Sequence, residues 1–325
     1  MKAGFRAVGA LAGALVAGGL LAPGAAAAAG TAAPTAPTVA YLRTGDVYVA
    51  AGTAVHRLTT DGHNARPRWS PDGRRIAYLH VGGLWVMNGD GSGKQQVARH
   101  ATGAPSWSPD SAWLAYVAGC DGIPTVFKVS AGAATTPPGS PVPLLPGTSA
   151  CTPGGMSYPR QPATLAGKLR YDDAVAWSPD GRRLAFRGGD CQGVYDDCLT
   201  VADIGTGGQA AVDAYGGGGE IYSGFAVVPA WRPDGARLAW TAWRDGDEHT
   251  AAQPVHVNES DPAGAGRHQV GARDDRELAY YDTTRALLTA TRNGASWLVL
   301  MNLTTGGRTY LRPGSQPSPR PGSLA

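Results

Sequence analysis

Residues 66–78 read RPRWSPDGRRIAY, and the chain returns to that pattern three more times. The further copies are GAPSWSPDSAWLAY at 103–116, AVAWSPDGRRLAF at 174–186 and VPAWRPDGARLAW at 228–240. Each carries a tryptophan (Trp69, Trp107, Trp177, Trp231), a proline two positions on (Pro71, Pro109, Pro179, Pro233) and then an aspartate (Asp72, Asp110, Asp180, Asp234). Seven residues after the tryptophan stands Ile76, Leu114, Leu184 or Leu238, always followed by alanine and an aromatic residue (Tyr78, Tyr116, Phe186, Trp240).

That pattern encodes a β-hairpin. Proline presets φ for a turn, aspartate bonds neighbouring backbone N–H groups, and glycine accepts a left-handed backbone. An extended segment ends in the tryptophan, and the apolar-Ala-aromatic triplet starts the next strand. In the second copy Ser111 replaces the glycine, so that turn is either strained or of another type. A third strand-like run follows each hairpin, at Leu84–Met87, Thr125–Val129, Leu199–Ala202 and Val255–Val257, and Lys94–Arg99 exemplifies a fourth. Repeating four-stranded units of this kind are propeller blades.

Two weaker units complete the count. Val39-Ala40-Tyr41, Asp46–Val49 and Val55–Leu58 match second, third and fourth strands, but no Trp-bearing strand precedes them. Leu278–Tyr281, Ala286–Thr291, Ser296–Met301 and Thr309–Leu311 form a degenerate last unit. The expectation is an all-β, six-bladed β-propeller of four-stranded antiparallel blades, with the first blade incomplete.

Trp-Ser-Pro-Asp-Gly followed by Leu/Ile-Ala-aromatic resembles the TolB-type β-propeller repeat, also called the WD40-like PD40 repeat. The resemblance covers most of Val39–Leu311 and implies a six-bladed TolB-like fold that binds proteins or periplasmic ligands. TolB proper has an α/β domain before its propeller, whereas here the blades follow directly on the N-terminal leader, so its translocation role does not transfer. The repeat also occurs in propellers fused to prolyl-oligopeptidase-type hydrolases, but this sequence contains no G-x-S-x-G elbow.

The ends read differently from the middle. Lys2 and Arg6, the apolar run Val8–Leu21 and the small residues up to Ala29 have the layout of a cleaved secretory signal at 1–29. Residues 30–38 read as a disordered spacer, 39–312 as the propeller and 313–325 as a disordered Pro/Ser/Gly tail. The expected location is therefore secreted or extracytoplasmic, with no membrane span. Setting Lys2 and Arg6 aside from 28 basic residues leaves a near balance with 25 acidic ones. That balance gives no support for a nucleic-acid partner, and a monomer is expected.

Cys120, Cys151, Cys191 and Cys198 are an even set, which in an exported chain favours two disulfides. Three pairings are open. The local one joins Cys120 to Cys151 and Cys191 to Cys198.

Strand order puts every Ser-Pro-Asp-Gly turn on one face of the ring. The long second-to-third turns at 188–198 and 242–254, the links at 146–171 and 216–227, and all four cysteines belong to the other. Function concentrates on variable loops held by a rigid frame. The expected binding residues are Arg187, Asp190, Tyr195, Tyr222, Trp243, Arg244, Asp245, Glu248 and His249, taking a protein or cell-envelope ligand. Asp190, Asp196, Asp197, Asp245, Asp247 and Glu248 have the chemistry of calcium ligands, but their spacing matches no calcium motif, and a solvated acidic loop is the favoured reading. No histidine pair has zinc-ligand spacing. No catalytic set, metal site or cofactor is expected. The alternative is a lyase or hydrolase acting on a glycan or peptide, with Asp245, Glu248 and His249 as acid and base. The motif aspartates read as turn residues, and the repeat tryptophans as packing between blades.

Overall fold

The computed structural model describes residues 37–120, 123–132, 140–145, 153–154, 174–190, 197–215, 223–225, 228–244 and 255–322. For 123–124, 197, 215, 223–225 and 243–244 it describes the backbone alone. The hairpin chemistry plays out as the repeat demands. In the second blade Asn64–Trp69 pairs antiparallel with Arg75–His80, then follow Gly83–Asn88 and Gln95–Ala98. The Ser70 hydroxyl donates to Asp72 at 2.5 Å and accepts the Arg75 N–H at 2.9 Å, while Asp72 accepts the Arg74 N–H at 3.0 Å. The turns at Ser108 and Ser178 repeat these bonds, and Arg232 takes the serine's place against Asp234. Gly73, Gly181 and Gly235 have φ of 67°, 74° and 70°, and Ser111 adopts 60° at the equivalent position. The second copy therefore keeps the turn type and accepts a left-handed serine, which costs about 1 kcal/mol.

Six antiparallel sheets form the propeller. The third blade runs Ser106–Trp107, Trp113–Cys120, Ile123–Ser130 and Val142–Pro143. The fourth runs Val175–Trp177, Arg183–Arg187, Asp197–Asp203 and Gln209–Tyr215. In the fifth, the inner strand is broken into Ser223–Phe225 and Ala230–Trp231, both paired with Leu238–Arg244, and Val255–Ser260 and His268–Val270 complete the sheet. The sixth runs Arg276–Tyr280, Arg285–Arg292, Ala295–Asn302 and Arg308–Pro313.

The first blade corrects two expectations. Val39–Arg43, Asp46–Ala51 and Ala54–Arg57 supply three strands, and Ser315–Pro319 supplies the innermost. The blade is complete, and residues expected to form a disordered tail close the ring. Val39 lies opposite Pro319 and Ala40 opposite Ser318. The N–H of Arg320 donates to Thr38 O at 2.8 Å, as that of Ser70 does to Arg75 O at 2.9 Å. This aligns Pro317-Ser318-Pro319-Arg320-Pro321 with Pro229-Ala230-Trp231-Arg232-Pro233. Arg320 turns its N–H to the partner strand and Ser318 lies opposite Ala40, so by strand alternation Pro317 and Pro319 sit where no ladder donor is needed, the condition under which an edge strand tolerates proline.

The apolar core is divided among the blade interfaces. Each of the six pairs of neighbouring blades shares its own buried cluster, including the pair closed by Val39, Tyr41 and Ala50 against Leu287 and Leu298. Cation–π contacts tie the same interfaces, with Arg320 over Trp69, Arg75 over Trp107 and Arg183 over Trp231 at 5.3, 4.9 and 4.8 Å. The indole N–H groups of Trp107 and Trp231 reach back to Arg68 O and Ala176 O in the preceding blade, both at 2.9 Å. The tryptophans thus pack between blades, as their pattern predicts. No described helix is long and apolar enough to cross a membrane.

Candidate functional site

The inner strands converge on a funnel of about 570 Å³ that opens on the face bearing the Ser-Pro-Asp-Gly turns. Its rim is built by the repeat itself: Pro71, Pro109, Pro179, Pro233 and Pro321, with edges of the repeat tryptophans and Tyr281 beside them. Apolar walls of this kind with few polar groups are the usual make-up of a ligand pocket.

The waist of the funnel is set by the residue before each repeat tryptophan or its equivalent. Around the ring these residues are Ser318, Arg68, Ser106, Ala176, Ala230 and Ala279. Five are small, and Arg68 alone is long and charged. The two serines are engaged, since Ser318 Oγ accepts the Trp69 N–H at 2.9 Å and Ser106 Oγ the Trp177 N–H at 2.8 Å. Other polar side chains of the lining are engaged too. Ser178 donates to Asp180 at 2.6 Å, Tyr280 donates to Glu259 at 2.7 Å, and Arg320 bonds Gly73 O at 2.8 Å.

The floor lies two residues further in. Arg66, Val228, Glu277 and Gln316 occupy equivalent positions and have φ of 54°, 80°, 58° and 56°. Bulges interrupt the pairing at Arg66 and Glu277 and turn these residues out of their ladders. Arg66 Nη1 donates to Glu277 Oε1 at 2.7 Å, with both side chains buried. Glu277 also accepts from Thr289 Oγ1 at 2.8 Å and from the Gln316 N–H at 3.0 Å. Burial opposes ionisation of Glu277, yet Arg66 and Arg276 hold its carboxyl below the usual range. The remaining equivalents, Ala104 and Ala174, pack with Val228 into a small apolar cluster. One half of the floor is a satisfied ion pair and the other half is apolar.

Arg68 is different. Its Nη1 donates to Pro67 O at 2.9 Å, and among the described residues no carboxylate lies within ion-pair distance. Desolvation, together with the like charge of Arg66, pulls its guanidinium down to about 10, so it remains cationic at neutral pH.

The residues expected from sequence to bind ligand lie elsewhere or outside the described set. Arg187, half-buried, ends its strand opposite Leu199, and the exposed Asp190 gives its N–H to Gln209 Oε1 at 3.0 Å. Trp243 and Arg244 end the second strand of the fifth blade, opposite Gly224 and Ser223. Tyr195, Tyr222, Asp245, Asp247, Glu248 and His249 lie outside the described residues, as do Asp196, Cys151 and Cys191. Cys120 and Cys198 are buried, and neither is a free thiol. Among the described residues no three His, Cys, Asp or Glu side chains gather as metal ligands would. Sequence reasoning missed Arg68, although the signal is present: the column before the tryptophan reads Arg, Ser, Ala, Ala in the four clear repeats.

No protein-family model matches the sequence. No curated protein matches it either. Solved structures do. TolB from Acinetobacter baumannii is similar at a TM-score of 0.64 and 15% identity, over 89% of this chain and 68% of that one. The putative TolB from Agrobacterium tumefaciens gives 0.58 and 16%, over 89% and 96%. A chain of a nidogen/laminin complex gives 0.56 and 9%, over 88% and 98%. At these identities the likeness is one of fold: the chain is a TolB-like six-bladed β-propeller.

Proposed function

We propose that this chain is a non-enzymatic binding propeller, exported from the cytoplasm, whose funnel receives an extended peptide segment of a partner protein. The observation that carries this reading is the lining, in which prolines and aromatic edges from successive blades surround a waist of serine, alanine and Arg68. Aromatic- and proline-lined grooves suit extended peptides, whose apolar side chains need no hydrogen bonds. A sugar would bring many hydroxyls to walls whose serines and Tyr280 are already bonded, and unpaired buried hydroxyls are costly.

The test is differential capture from a cell-envelope extract, with the chain from residue 37 onward as bait. Ala230→Trp fills the waist and should abolish capture of the partner that the unaltered chain retains, while Trp243→Ala with Arg244→Ala on the opposite face should leave it unchanged. The reverse pattern would move the site to the long-loop face and overturn the funnel.

A further inference from the structure

We infer that Arg68 is the anion-recognising residue of the funnel and that the peptide enters C-terminus first, placing its terminal carboxylate on this guanidinium. The inference rests on the funnel reading above and adds the chemistry of the ligand's tip.

Three observations carry it. First, Arg68 is the single long side chain at a ring position otherwise filled by Ser318, Ser106, Ala176, Ala230 and Ala279, and it lines the funnel together with the small Ser106, Ala176, Ala230 and Ala279. Second, among the described residues its charge has no carboxylate partner. Glu277, the nearby carboxylate, is committed to Arg66 at 2.7 Å, to Thr289 and to the Gln316 N–H, while among the described residues Arg68 bonds only the Pro67 carbonyl. A half-buried cation with no carboxylate partner among the described residues works against the folded state, and an incoming anion removes that cost. Third, the residues below it are packed together, with Arg66 and Glu277 buried and bonded to each other and to Gln316 on one side, and Ala104, Ala174 and Val228 in a buried cluster on the other. A chain therefore enters end-on. Leading with its N-terminus would bring an ammonium group against Arg68. Leading with its C-terminus brings two carboxylate oxygens to a planar donor fork that matches them.

The experiment is a peptide array synthesised in pairs, each sequence once with a free C-terminal carboxylate and once as the amide, probed with the unaltered chain and with Arg68→Gln. Among the described residues Arg68 makes no ion pair that its loss would break, so the variant should fold, and its thermal transition is recorded alongside. Bound sequences should come from the free-acid set, with the amide and Arg68→Gln each weakening binding about 10- to 100-fold, the range of a charge-assisted hydrogen-bonded pair. Arg68→Lys should recover part of the loss. Equal binding of acid and amide forms, unchanged in Arg68→Gln, would overturn the role of Arg68 and leave the funnel reading standing. Binding of no peptide by the folded chain would overturn both. Arg68-dependent binding of oligogalacturonate, tested as a second probe, with no peptide bound, would keep the anion site and overturn its assignment to a peptide terminus.

Discussion

The N–H of Arg320 meets the carbonyl of Thr38 at 2.8 Å, so two segments far apart in sequence form one hairpin-like junction. Three things converge there. Ser315–Pro319 completes the first blade, Ser318 Oγ accepts the Trp69 N–H of the second, and Arg320 lies over the Trp69 ring.

A variant ending at Gly314 is therefore expected to lose its cooperative unfolding transition, because two blade interfaces lose a wall. The finer test is Ser318→Ala. It leaves a buried N–H on Trp69 without its acceptor and should cost about 1–3 kcal/mol in urea denaturation. Unchanged stability would separate ring closure from this hydrogen bond.

The buried pair Arg66–Glu277 should behave as a unit. Removing one partner, as in Arg66→Met, leaves an uncompensated charge and should cost about 3–5 kcal/mol. Arg66→Met combined with Glu277→Leu should cost clearly less than the two single changes added together. A double-mutant cycle reads the coupling directly, and additive effects would mean the pair is not coupled.

Arg68 should show the opposite sign. Arg68→Met exchanges a half-buried cation, which has no carboxylate partner among the described residues, for an apolar side chain and should raise stability by about 1 kcal/mol. Calorimetry of the two proteins decides this. A loss of several kcal/mol would mean that Arg68 has a structural partner and is not held for a ligand.

The turn aspartates predict acid sensitivity. Hydrogen bonds from Ser108, Ser178 and Arg232 hold Asp110, Asp180 and Asp234 below the usual carboxylate range. A carboxyl with a depressed folded pKa contributes stability that is complete above its unfolded value, near 4. That contribution is lost as pH falls through the folded value. Stability should be flat from pH 5 to 7 and fall below about pH 4, and Asp180→Asn should flatten part of that fall in a pH series of melts.

Disulfide mapping should find Cys120 joined to Cys151. Gly119 and Gly154 exchange both backbone hydrogen bonds, at 3.1 and 2.7 Å, which brings the segments next to these cysteines together. Non-reducing peptide mass mapping would show this link, and a peptide linking Cys120 to Cys191 or Cys198 would refute it.

The sequence alone determined the blade. Tryptophan, turn and apolar-Ala-aromatic triplet are local, repeat four times, and act through hydrogen bonds spanning five residues, so the fold, the face of the turns and the packing role of the tryptophans were all readable. Ring closure was not. Pro317-Ser318-Pro319 lacks the tryptophan that marks the other inner strands, and its strand character comes from a partner at residues 39–42, a match no local pattern contains. The site divides the same way. The column Arg, Ser, Ala, Ala was visible before the tryptophans, but its meaning was not. Whether Arg66 or Arg68 keeps a free charge depends on Glu277, about two hundred residues away. Only the closed ring brings that carboxylate to Arg66 and leaves Arg68 facing the funnel.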